Sequence, residues 1–418
     1  MKRTENGMLS IAIIGGGAAG FFAAITAKEH NPDAEVTIFE RSRKVLAKVE
    51  ISGGGRCNLT NSFQGVSDMK QVYPRGDKLM KRLFKSFGHE DTCSWFESRG
   101  VTLVTQDDAC VFPRSQSALS IVNCLVDHAK ALGVKIRTGC KIVGIEPLDD
   151  GCLRLQLAGG ASETFCRVAV ATGGSPRMEG LQYLADMGHE LVPPVPALFT
   201  FNLADPSFKA LMGTVADPVT VSIPETKFRS SGALLVTHWG ASGPAILKLS
   251  SLAARWVKAH DYRFAIAVNW VNETNQNKVG EMLASIIKNN AQKQLGTIHP
   301  FGLPGRLWLY LLEKLALPSD RKWGETGKKT VNKLVETLTN DIYQVAGKGS
   351  FRDEFVTCGG VALSNVNLNT LESKSCPHLF FAGEVLDIDA VTGGFNLQAA
   401  WTTGHTVGKN IALDDASQ

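Results

Sequence analysis

Long apolar runs, paired cysteines, internal repeats and a large excess of charge of either sign are all missing from this sequence. Outside the N-terminal segment discussed below, no stretch approaches the roughly 18 apolar residues of a membrane-spanning helix, so we expect no membrane partner. Lys and Arg number 44 against 40 Asp and Glu, a net charge of +4 that requires no polyanion, and DNA binding is not expected. The composition, 44% hydrophobic and 20% charged, is typical of a globular protein, and 418 residues predict two or three domains.

Nine cysteines are present, but none of them forms a C-x-x-C pair and no His/Cys spacing suits zinc. An odd, scattered set is typical of reduced thiols rather than of a disulfide framework. We therefore expect free thiols, no bound metal and a cytoplasmic location.

The most informative segment is IAIIGGGAAG at residues 11–20, where an apolar β-branched run ends in a glycine cluster. Gly15, Gly17 and Gly20 match G-x-G-x-x-G. The first glycine permits a tight turn, the second lets the backbone approach a pyrophosphate, and the third lets the helix pack closely on the strand. The N-terminus of the helix that follows offers amide groups and a positive dipole end to phosphate.

A second strand-like run, EVTIFE, ends at Glu40, twenty positions after Gly20. A carboxylate at this offset can accept hydrogen bonds from ribose hydroxyls. The glycine motif, its flanking strands and Glu40 together predict that the chain binds an adenine dinucleotide.

A secretory signal peptide is the competing interpretation, because Lys2 and Arg3 precede an uncharged stretch over residues 11–27. Four glycines interrupt the would-be apolar core, and no convincing cleavage site precedes Lys28. These features, with Glu40 at the expected distance, favour the dinucleotide-binding interpretation.

Three further glycine-rich segments favour FAD over NAD, because a larger cofactor needs more close approach by the backbone. They are ISGGGRCN, VAVATGGS, and FAGEVLD followed by VTGGFN. Glu384 and Asp387 lie just past the last strand-like run, where ligands bind in open parallel sheets, and a carboxylate there can hold a ribityl hydroxyl. Gly393 and Gly394 open a final helix, running to about residue 411, whose dipole can stabilise an anionic reduced flavin.

The predicted fold class is α/β, a discontinuous Rossmann-like FAD domain with an inserted β-barrel-like domain and a helical subdomain. A proline-rich boundary at 191–199 is followed by short β-like runs up to Trp270, and then by a helical pattern over 274–340 that breaks at 299–305. Strand-like runs return from about residue 355. The predicted boundaries are 1–195 and 351–418 for the FAD-binding domain, 196–272 and 341–350 for the barrel-like insert, and 273–340 for the helical subdomain.

Within the first part, helical patterns are predicted at about 77–99 and 117–132, the second capped by Ser115 or Ser117. Short strand-like runs from 134 to 172 predict a small antiparallel excursion that begins with VKIRTG and returns to the main sheet with RVAVAT.

Several motifs make a more specific comparison possible: GGGAAG, ISGGGRCNLTN, ATGG, THWGASGPAIL and FAGEVLDIDAVTGGFNLQAAWTTGHTVG. They closely resemble the bacterial flavoprotein family typified by BaiN and the YhiN-type proteins, which is related to the glutathione-reductase and fumarate-reductase superfamily. The resemblance spans essentially the whole chain. It implies non-covalently bound FAD, a β-barrel-like insert and a helical insert.

The resemblance also implies roles for particular residues. Residues 53–58 would wrap the cofactor near its pyrophosphate and ring, Arg56 would be a phosphate or substrate cation, and the main chain of Ile142 would hold adenine. The residues that we expect to line the cofactor are Gly15, Gly17, Ala18, Ala19, Gly20, Glu40, Arg41, Lys48, Ser52, Gly53, Gly54, Arg56, Cys57, Asn58, Ile142, Thr172, Gly173, Gly174, Gly383, Glu384, Asp387, Gly394, Phe395, Asn396 and Leu397.

The sequence departs from the family pattern in two places. DACVFPRS at 108–115 lacks the Gly-Arg that usually precedes Phe-Pro, so we assign no arginine role there. Cys358 stands where a small residue such as Ala is common beside the flavin.

Catalytic groups are not identified by any spacing. Cys57 and Cys358 are candidate redox partners of a flavin, but disulfide reductases use C-x-x-C or C-x4-C pairs, and free Cys is commonly a small buried hydrophobe. His238 and His405 are general acid/base candidates, with His405 expected to be structural. A second G-x-G-x-x-G unit is absent, so NAD(P)H is left open as a transient electron donor.

Three hypotheses about function follow. The first is an FAD-dependent oxidoreductase that transfers hydride between FAD and a small organic substrate, an activated C=C bond or an amine, and that is linked to NAD(P)H. The alternative is a flavin-dependent RNA-modifying enzyme that reduces uridine to dihydrouridine in ribosomal RNA. The third is a flavin-bearing sensor or assembly factor. The RNA alternative takes local support from two basic clusters: Lys78, Lys81, Arg82 and Lys85, and Arg321, Lys322, Lys328, Lys329 and Lys333.

Overall fold

A computed structural model describes residues 8–349 and 356–413 of the chain. The chain folds as two compact units, Met1–Val195 with Val356–Gln418, and Pro196–Phe355. The first unit is a parallel α/β domain assembled from both ends of the chain, and the second contains a closed barrel and several helices. The predicted α/β fold class, with a Rossmann-like domain and a barrel, is confirmed.

Nineteen β-strands lie in the described residues. They are β1 Ser10–Ile14, β2 Glu35–Phe39, β3 Thr60–Asn61, β4 Leu103–Thr105, β5 Cys110–Pro113, β6 Lys135–Arg137, β7 Ile142–Pro147, β8 Leu153–Leu157, β9 Ser162–Phe165, β10 Arg167–Val170, β11 Leu191–Ala197, β12 Phe201–Leu203, β13 Val215–Ser222, β14 Arg229–Val236, β15 Gly240–Ser242, β16 Phe264–Asn269, β17 Asp341–Lys348, β18 Val356–Val361 and β19 Leu379–Phe381.

Thirteen α-helices lie in the same described residues. They are α1 Ala18–His30, α2 Ala47–Gly55, α3 Asp77–Leu83, α4 His89–Glu97, α5 Leu119–Ala131, α6 Gln182–Asp186, α7 Pro206–Lys209, α8 Pro244–Leu252, α9 Ala254–Ala259, α10 Gln276–Asn289, α11 Gly305–Lys314, α12 Lys328–Thr339 and α13 Phe395–Ile411. Short 3-10 turns cover Met69–Gln71, Met178–Gly180, Leu295–Thr297, Pro300–Gly302, Trp323–Glu325, Leu363–Asn365 and Gly383–Val385.

The main sheet of the first unit has five parallel strands in the order β19-β10-β1-β2-β6. Strands β1 and β10 are buried along their whole length, as the runs SIAII and RVAV require of central strands covered on both faces. The carboxyl ends of β1, β2, β10 and β19 therefore meet at one edge, which is where ligands bind in sheets of this kind.

Helices α1 and α13 pack closely against each other in the same direction. A Cβ on Gly404 would lie 2.6 Å from the carbonyl oxygen of Ala19, and a Cβ on Gly408 would lie 2.6 Å from that of Ala23. Because each contact advances by four residues on both helices, the two axes run parallel. Glycine at these two positions of α13 permits the approach.

One strand assignment within the predicted antiparallel excursion was wrong. VKIRTG forms β6, which joins the parallel sheet beside β2, because its residues pair with Thr37–Phe39. The excursion itself is the three-stranded sheet β7-β8-β9, after which β10 returns to the main sheet as predicted. Two smaller sheets, β3-β5-β4 and β11-β18, complete the first unit.

Two helix predictions also need correction. The predicted helix at 77–99 is two helices, α3 and α4, since Gly88 adopts extended backbone and caps α4. Helix α5 begins after Ala118 with no side-chain cap, so neither Ser115 nor Ser117 is its N-cap. The Ser115 hydroxyl instead accepts a hydrogen bond from the Ser117 amide, 3.3 Å away.

The second unit is built around a closed barrel of six strands in the order β12-β15-β14-β13-β16-β17. Its interior packs with residues of α8, α10, α11 and α12 in one apolar core that includes Trp270, Trp308 and Trp323. The predicted division of this unit into a barrel-like insert and a helical subdomain stays a prediction.

Candidate cofactor-binding site

The turn between β1 and α1 uses its three motif glycines in two different ways. Gly15 has φ +116°, and a Cβ there would lie 2.3 Å from the carbonyl oxygen of Ala171. A Cβ on Gly20 would lie 1.9 Å from the carbonyl oxygen of Gly15. The fold therefore requires both of these glycines. A Cβ on Gly17 would meet nothing within 4 Å, so protein packing gives no reason for glycine at that position.

The N-terminus of α1 is open beside Gly17. Gly17 is the N-cap and has extended backbone. Within the described residues no side chain caps this end of the helix, and the first turn contains no acidic residue. The amides of Ala18, Ala19 and Gly20 belong to that first turn, where helix N–H groups lack an intrahelical acceptor. Together with the helix dipole, they form an anion-binding corner of the kind that holds phosphates.

Glu40 lies directly after β2 and faces the same corner. One carboxylate oxygen accepts a hydrogen bond from the Gly16 amide at 2.8 Å, and the other accepts from the Ser42 amide at 2.8 Å and hydroxyl at 2.7 Å. These bonds fix the carboxylate while leaving acceptor capacity for a ribose hydroxyl. Arg41 beside it is exposed. The amide of Cys140 bonds the Glu40 carbonyl, which brings the strand starting at Ile142 to this corner.

The ISGGG segment interrupts α2 with a run of left-handed backbone. Ser52 is extended, and Gly53, Gly54 and Gly55 have φ of 57°, 68° and 83°. A Cβ on Gly53 would lie 2.8 Å from the Asn58 amide, whereas Gly54 and Gly55 face open space. The segment therefore presents main chain rather than side chains to any ligand beside it.

The structure brings this motif and the C-terminal glycine pair together. In the amide orientation that satisfies its neighbours, Asn58 donates to the Thr60 carbonyl at 3.0 Å and accepts from the Gly394 amide at 3.2 Å. Asn61 donates to the Gly393 carbonyl at 3.0 Å. Asn61 and Gly393 were not among the predicted site residues, although both stand within the motifs that the sequence singles out.

Helix α13 has a second open N-terminus. Its N-cap is Gly394 with φ 87°, no side chain caps it within the described residues, and its first turn has no acidic residue. The Asn396 side chain both donates to and accepts from the main chain of Ala390, each at 2.9 Å. The groups that Phe395, Asn396 and Leu397 can offer a ligand are therefore main-chain amides.

Glu384 joins three predicted segments at the end of β19. Its carboxylate accepts from the Thr357 amide at 2.7 Å and from the Lys48 ammonium at 3.3 Å. A Cβ on Gly174 would lie 2.6 Å from the same carboxylate, and one on Gly173 would lie 3.8 Å from it. Lys48 and the strand end at 172–174, with exposed Thr172, thus converge on Glu384.

Two other predicted residues of this loop are held by the protein itself. The Gly383 amide donates to the Thr403 hydroxyl at 2.9 Å, and Asp387 accepts from the Gly359 amide at 3.0 Å. These bonds tie the 383–387 turn to α13 on one side and to β18 on the other.

A buried ion pair behind this loop was missed by the sequence reasoning. Arg75 donates from two guanidinium nitrogens to Asp389, whose side chain is completely buried. Burial works against the charged guanidinium, yet the hydrogen bond and charge of Asp389 raise the pKa of Arg75. The only signal in the sequence was Asp389 itself, inside the C-terminal block, since its partner lies 314 positions away.

The thiol candidates are buried, and the arginine candidate makes contacts within the protein. Cys57 is fully buried, and burial raises the pKa of its thiol to about 12, so the thiol stays protonated at neutral pH. Cys358 is buried in β18. The Arg56 guanidinium lies 4.4 Å from the Phe112 ring centroid and donates to the Gly53 carbonyl and to Gln116.

The two histidine candidates belong to different units of the chain. His238 belongs to the second unit, where its ring contacts Trp239. His405 is inside α13, stacked on Phe87 at 4.3 Å between ring centroids. Burial, followed by the charges of His30 and Lys409, lowers the pKa of His405 to about 4, as expected for a packed neutral side chain.

A family model described as "HI0933-like protein Rossmann domain" matches residues 9–410. The chain belongs to the HI0933-like family. The resemblance drawn from the sequence motifs is confirmed, and membership makes the chain an FAD-dependent oxidoreductase with a Rossmann-type domain. No helix of the described residues is long and apolar enough to cross a bilayer.

Two curated relatives align with this HI0933-like chain along nearly its whole length. One is the 3-dehydro-bile acid delta(4,6)-reductase of Clostridium scindens, 27% identical over 97% of this chain and 99% of the relative. The other is the ribosomal RNA dihydrouridine synthase of Haemophilus influenzae, 27% identical over 96% of this chain and 98% of the relative.

Among solved structures, a 3-ketosteroid-delta4-(5alpha)-dehydrogenase from Rhodococcus jostii RHA1 covers 97% of this chain and 97% of its own. The TM-score is 0.51 at 14% identity, a likeness of fold alone.

Proposed function

We propose that the first unit holds FAD non-covalently in an extended conformation, with the pyrophosphate at the N-terminus of α1 and the isoalloxazine ring at that of α13. Parallel packing supports this, because Gly404 of α13 lies beside Ala19 of α1. Measured from this contact, α13 extends about eight residues further toward its N-terminus than α1 does. The two helix N-termini are therefore offset by roughly 12 Å along their shared direction. Two open, positively polarised helix ends at such a separation suit the phosphates and the ring of one dinucleotide.

The observation that carries this proposal is the open space at Gly17. Glycine there has no packing role, whereas Gly15 and Gly20 on either side of it are required by the fold. A cofactor pyrophosphate in that space accounts for the missing side chain.

The remaining predicted residues fit the two halves of such a molecule. Glu40 and Arg41 would hold the adenosine ribose, with the Ile142 main chain at adenine. Glu384 and Asp387 would face the ribityl chain, and the main chain of 52–58 and of 394–397 would border the ring. Because Glu40, Glu384 and Asp387 are fixed by bonds within the protein, they would be positioned before the cofactor binds.

We propose that the reaction is reduction of a C=C bond conjugated to a carbonyl in a small organic substrate. The names of the two relatives describe a delta(4,6) double bond of a 3-dehydro bile acid and the formation of dihydrouridine. Both reductions saturate a C=C bond conjugated to a carbonyl. Bound FAD supplies hydride chemistry for such a step.

The contribution of the chain is electrostatic and geometric. The N-terminus of α13 would favour negative charge on the pyrimidine side of the ring, which promotes reduction. The 52–55 segment would offer main chain rather than bulky side chains to the ring, which would leave room for a planar substrate.

NAD(P)H is the electron donor that we propose, binding transiently because the chain contains a single G-x-G-x-x-G unit. Nine thiols without a disulfide among the described residues suit the reducing environment of the cytoplasm, where we propose that the protein acts.

The test is anaerobic reduction of the flavin-loaded protein by NADH or NADPH, followed by reoxidation with separate substrate classes. An enone should restore the oxidised flavin spectrum within seconds, whereas a saturated ketone of the same skeleton should not. Reoxidation by neither enones nor unmodified ribosomal RNA would contradict the proposed reaction. Reduction of the flavin by an amine would favour the amine-oxidising alternative instead.

RNA is the second candidate substrate, favoured by the surface around α3. Lys78, Lys81 and Lys85 are exposed and make no ion pair or hydrogen bond through their side chains within the described residues. Half-buried Phe84 follows the helix directly, and its ring lies 5.0 Å from that of Phe63. Cations beside partly exposed aromatic rings are typical of single-stranded RNA binding, where bases stack and lysines neutralise phosphates.

This surface is tied to the candidate site. Phe63 also contacts Phe395 at the start of α13, with 5.1 Å between ring centroids. The Tyr73 hydroxyl donates to the Phe395 carbonyl at 2.9 Å. A base stacked near Phe63 would therefore lie close to the end of α13 that we assign to the ring.

A triple Lys78→Ala, Lys81→Ala, Lys85→Ala variant separates the two candidates. If RNA is the substrate, RNA binding should weaken and the slope of log Kd against log salt should fall by about 2, roughly 0.7 per lysine. Lys328→Ala, Lys329→Ala and Lys333→Ala in α12 form the matched control, since they remove the same charge in the second unit. Equal effects of both triple variants would contradict the α3 surface as the specific RNA site.

A further inference from the structure

Cys152 and Cys166 lie opposite each other at the end of the β8-β9 hairpin. Strands β8 and β9 pair antiparallel with Leu153 opposite Phe165 and Arg154 opposite Thr164. Continuing this register by one residue places Cys152 opposite Cys166. The two side chains therefore leave the sheet on the same face.

The hydrogen bonds show that this is a narrow, non-hydrogen-bonded pair. The amide of Cys152 donates to Asp150, its carbonyl accepts from Leu148, and the amide of Cys166 donates to the Ser10 hydroxyl at 3.0 Å. At the opposite end of the hairpin, the Leu157 amide donates to the Ala161 carbonyl, so these two residues form a hydrogen-bonded pair. Hydrogen-bonded and non-hydrogen-bonded pairs alternate along an antiparallel ladder, and counting five pairs along from Leu157 makes the cysteine pair non-hydrogen-bonded.

Such a pair has the geometry of a disulfide. Residues at non-hydrogen-bonded antiparallel positions have Cα atoms about 4.5 Å apart, inside the roughly 4.4–6.8 Å range of disulfides. The two thiols also contact each other by a side-chain hydrogen bond, and the Ser10 hydroxyl donates to the Cys166 sulfur at 3.3 Å. At such a spacing, two sulfurs can be joined without a large backbone movement.

We propose that Cys152 and Cys166 form a reversible disulfide, an oxidisable dithiol in the FAD-binding unit that is separate from the candidate cofactor site. With a peroxide as oxidant, one thiol becomes a sulfenic acid and releases water. The second thiol then displaces hydroxide, which leaves as a second water once protonated. The S–S bond forms as both S–H bonds are lost, and the peroxide O–O bond takes up the two electrons.

The surroundings keep the pair reduced at rest and still reachable. Both cysteines are nearly fully buried, and burial raises the pKa of the Cys152 thiol to about 11, so this thiol reacts slowly with oxidants at neutral pH. Cys152 follows the exposed turn at 149–151, whose local opening would admit a small oxidant. In the reducing compartment that we propose for this protein, disulfides are usually transient, which favours a reversible link over a structural one.

Peptide mapping of the oxidised flavin-loaded protein tests the proposal. Trypsin cuts after Lys141, Arg154 and Arg167, so Cys152 and Cys166 fall on two adjacent peptides that each contain a single cysteine. After treatment with hydrogen peroxide or diamide and alkylation of the remaining thiols, these two peptides should be recovered linked and lighter by two hydrogen atoms. Dithiothreitol should restore both.

The half-buried Cys140, on tryptic peptide 138–141, reports whether the oxidant has acted. The 152–166 link should exceed every other cysteine link at least tenfold, disappear in Cys152→Ser and in Cys166→Ser, and persist in Cys140→Ser. Recovery of Cys152 and Cys166 as alkylated thiols after Cys140 has been oxidised would overturn the proposal. So would their separate oxidation to sulfinic acids without a link.

Discussion

The motif glycines of the β1-α1 turn are present for two different physical reasons. Gly15 and Gly20 are required because a Cβ would overlap a carbonyl oxygen at 2.3 Å and 1.9 Å. Gly17 is surrounded by open space and has ordinary backbone with φ −95°. A motif that is uniform in sequence thus separates into two positions that build the turn and one position that leaves room for a ligand.

Gly17→Val should leave the protein folded and remove its flavin. The valine side chain would project into the space that we assign to the pyrophosphate, and the fold would lose only about 1 kcal/mol from the poorer N-cap. FAD affinity should fall at least about 100-fold, equivalent to about 2.7 kcal/mol. Fluorescence titration with FAD and a urea unfolding curve measure the two effects separately.

Gly20→Val is the matched control, because its side chain would overlap the Gly15 carbonyl and should prevent folding. Tight FAD binding by Gly17→Val would show that the pyrophosphate lies elsewhere.

His405 makes stability depend on pH in a direction that follows from its burial. The pKa of the folded side chain is lowered to about 4 from an unfolded value of 6.5. The neutral form is therefore favoured by folding, so its stabilising contribution is complete above pH 6.5 and is lost as pH falls toward 4. Allowing for partial exposure, the free energy of unfolding should drop by about 1 to 1.5 kcal/mol between pH 7 and pH 5 through this residue.

His405→Phe isolates that contribution, since phenylalanine can still stack on Phe87 but has no proton to bind. Urea unfolding at pH 7 and pH 5 should give a smaller loss of stability in the variant than in the wild type. Equal losses in the two proteins would mean that His405 is already accessible to protons in the folded state.

At the scale of elements, the contact between α1 and α13 determines where the candidate site lies. Gly404 and Gly408 let the two helices approach until backbone meets backbone, and the offset of their starting residues separates the two open N-termini. Helix α13 is anchored at its other end by buried Arg167, which donates to the carbonyls of Ile411 and Leu413. The packing of one helix pair therefore fixes two ligand-facing ends.

Gly404→Ala should destabilise the first unit by about 2 kcal/mol, because the added methyl group would lie 2.6 Å from the Ala19 carbonyl and force the helices apart. FAD affinity should fall as well, since the N-terminus of α13 moves with its helix. Urea unfolding combined with FAD titration measures both.

Gly280→Ala in α10 offers the comparison, because its methyl group would meet only Val335, at an ordinary 3.9 Å. That variant should gain about 0.5 to 1 kcal/mol from helix propensity and keep its flavin. A stable Gly404→Ala protein with unchanged FAD affinity would contradict the role that we give to the helix contact.

Element prediction from sequence succeeded where a local pattern decides the outcome and failed where a tertiary partner decides it. The run IAIIGGGAAG predicts β1 and α1 because its hydrophobicity and its turn are both local. VKIRTG contains no signal that distinguishes pairing with β2 from pairing with β7, and the choice depends on residues almost a hundred positions away. Helix α3 ends at Leu83 and Gly88 caps α4, a break that periodicity alone does not reveal.

At the scale of the whole molecule, the assembly of one unit from both ends of the chain was accessible from the sequence. The buried run HLFFAGEV and the glycine-opened final helix read as parts of a parallel α/β domain rather than as a separate one. Pairings between distant side chains were not accessible. Arg75 and Asp389 show why, since each is an ordinary charged residue in its own segment and only the fold brings them together in a buried pair.

The candidate site shows the same difference between local motifs, which the sequence reveals, and long-range bonds, which it does not. Residues in the glycine motifs could be proposed from the sequence because the glycine spacing itself requires a particular local backbone geometry. The bonds that hold them, such as Lys48 to Glu384 and Asn61 to Gly393, join segments more than 300 positions apart and have no sequence signature.

The most direct test of this interpretation is the flavin content of the purified protein, followed by titration of the stripped protein with FAD. Chromatography of the acid-released cofactor identifies it, and absorbance gives its stoichiometry. We predict one FAD per chain, released intact by acid and taken up again by the stripped, folded protein. A colourless protein that remains folded and takes up no FAD when it is offered would contradict the proposal that glycine-lined corners from both ends of the chain hold this cofactor.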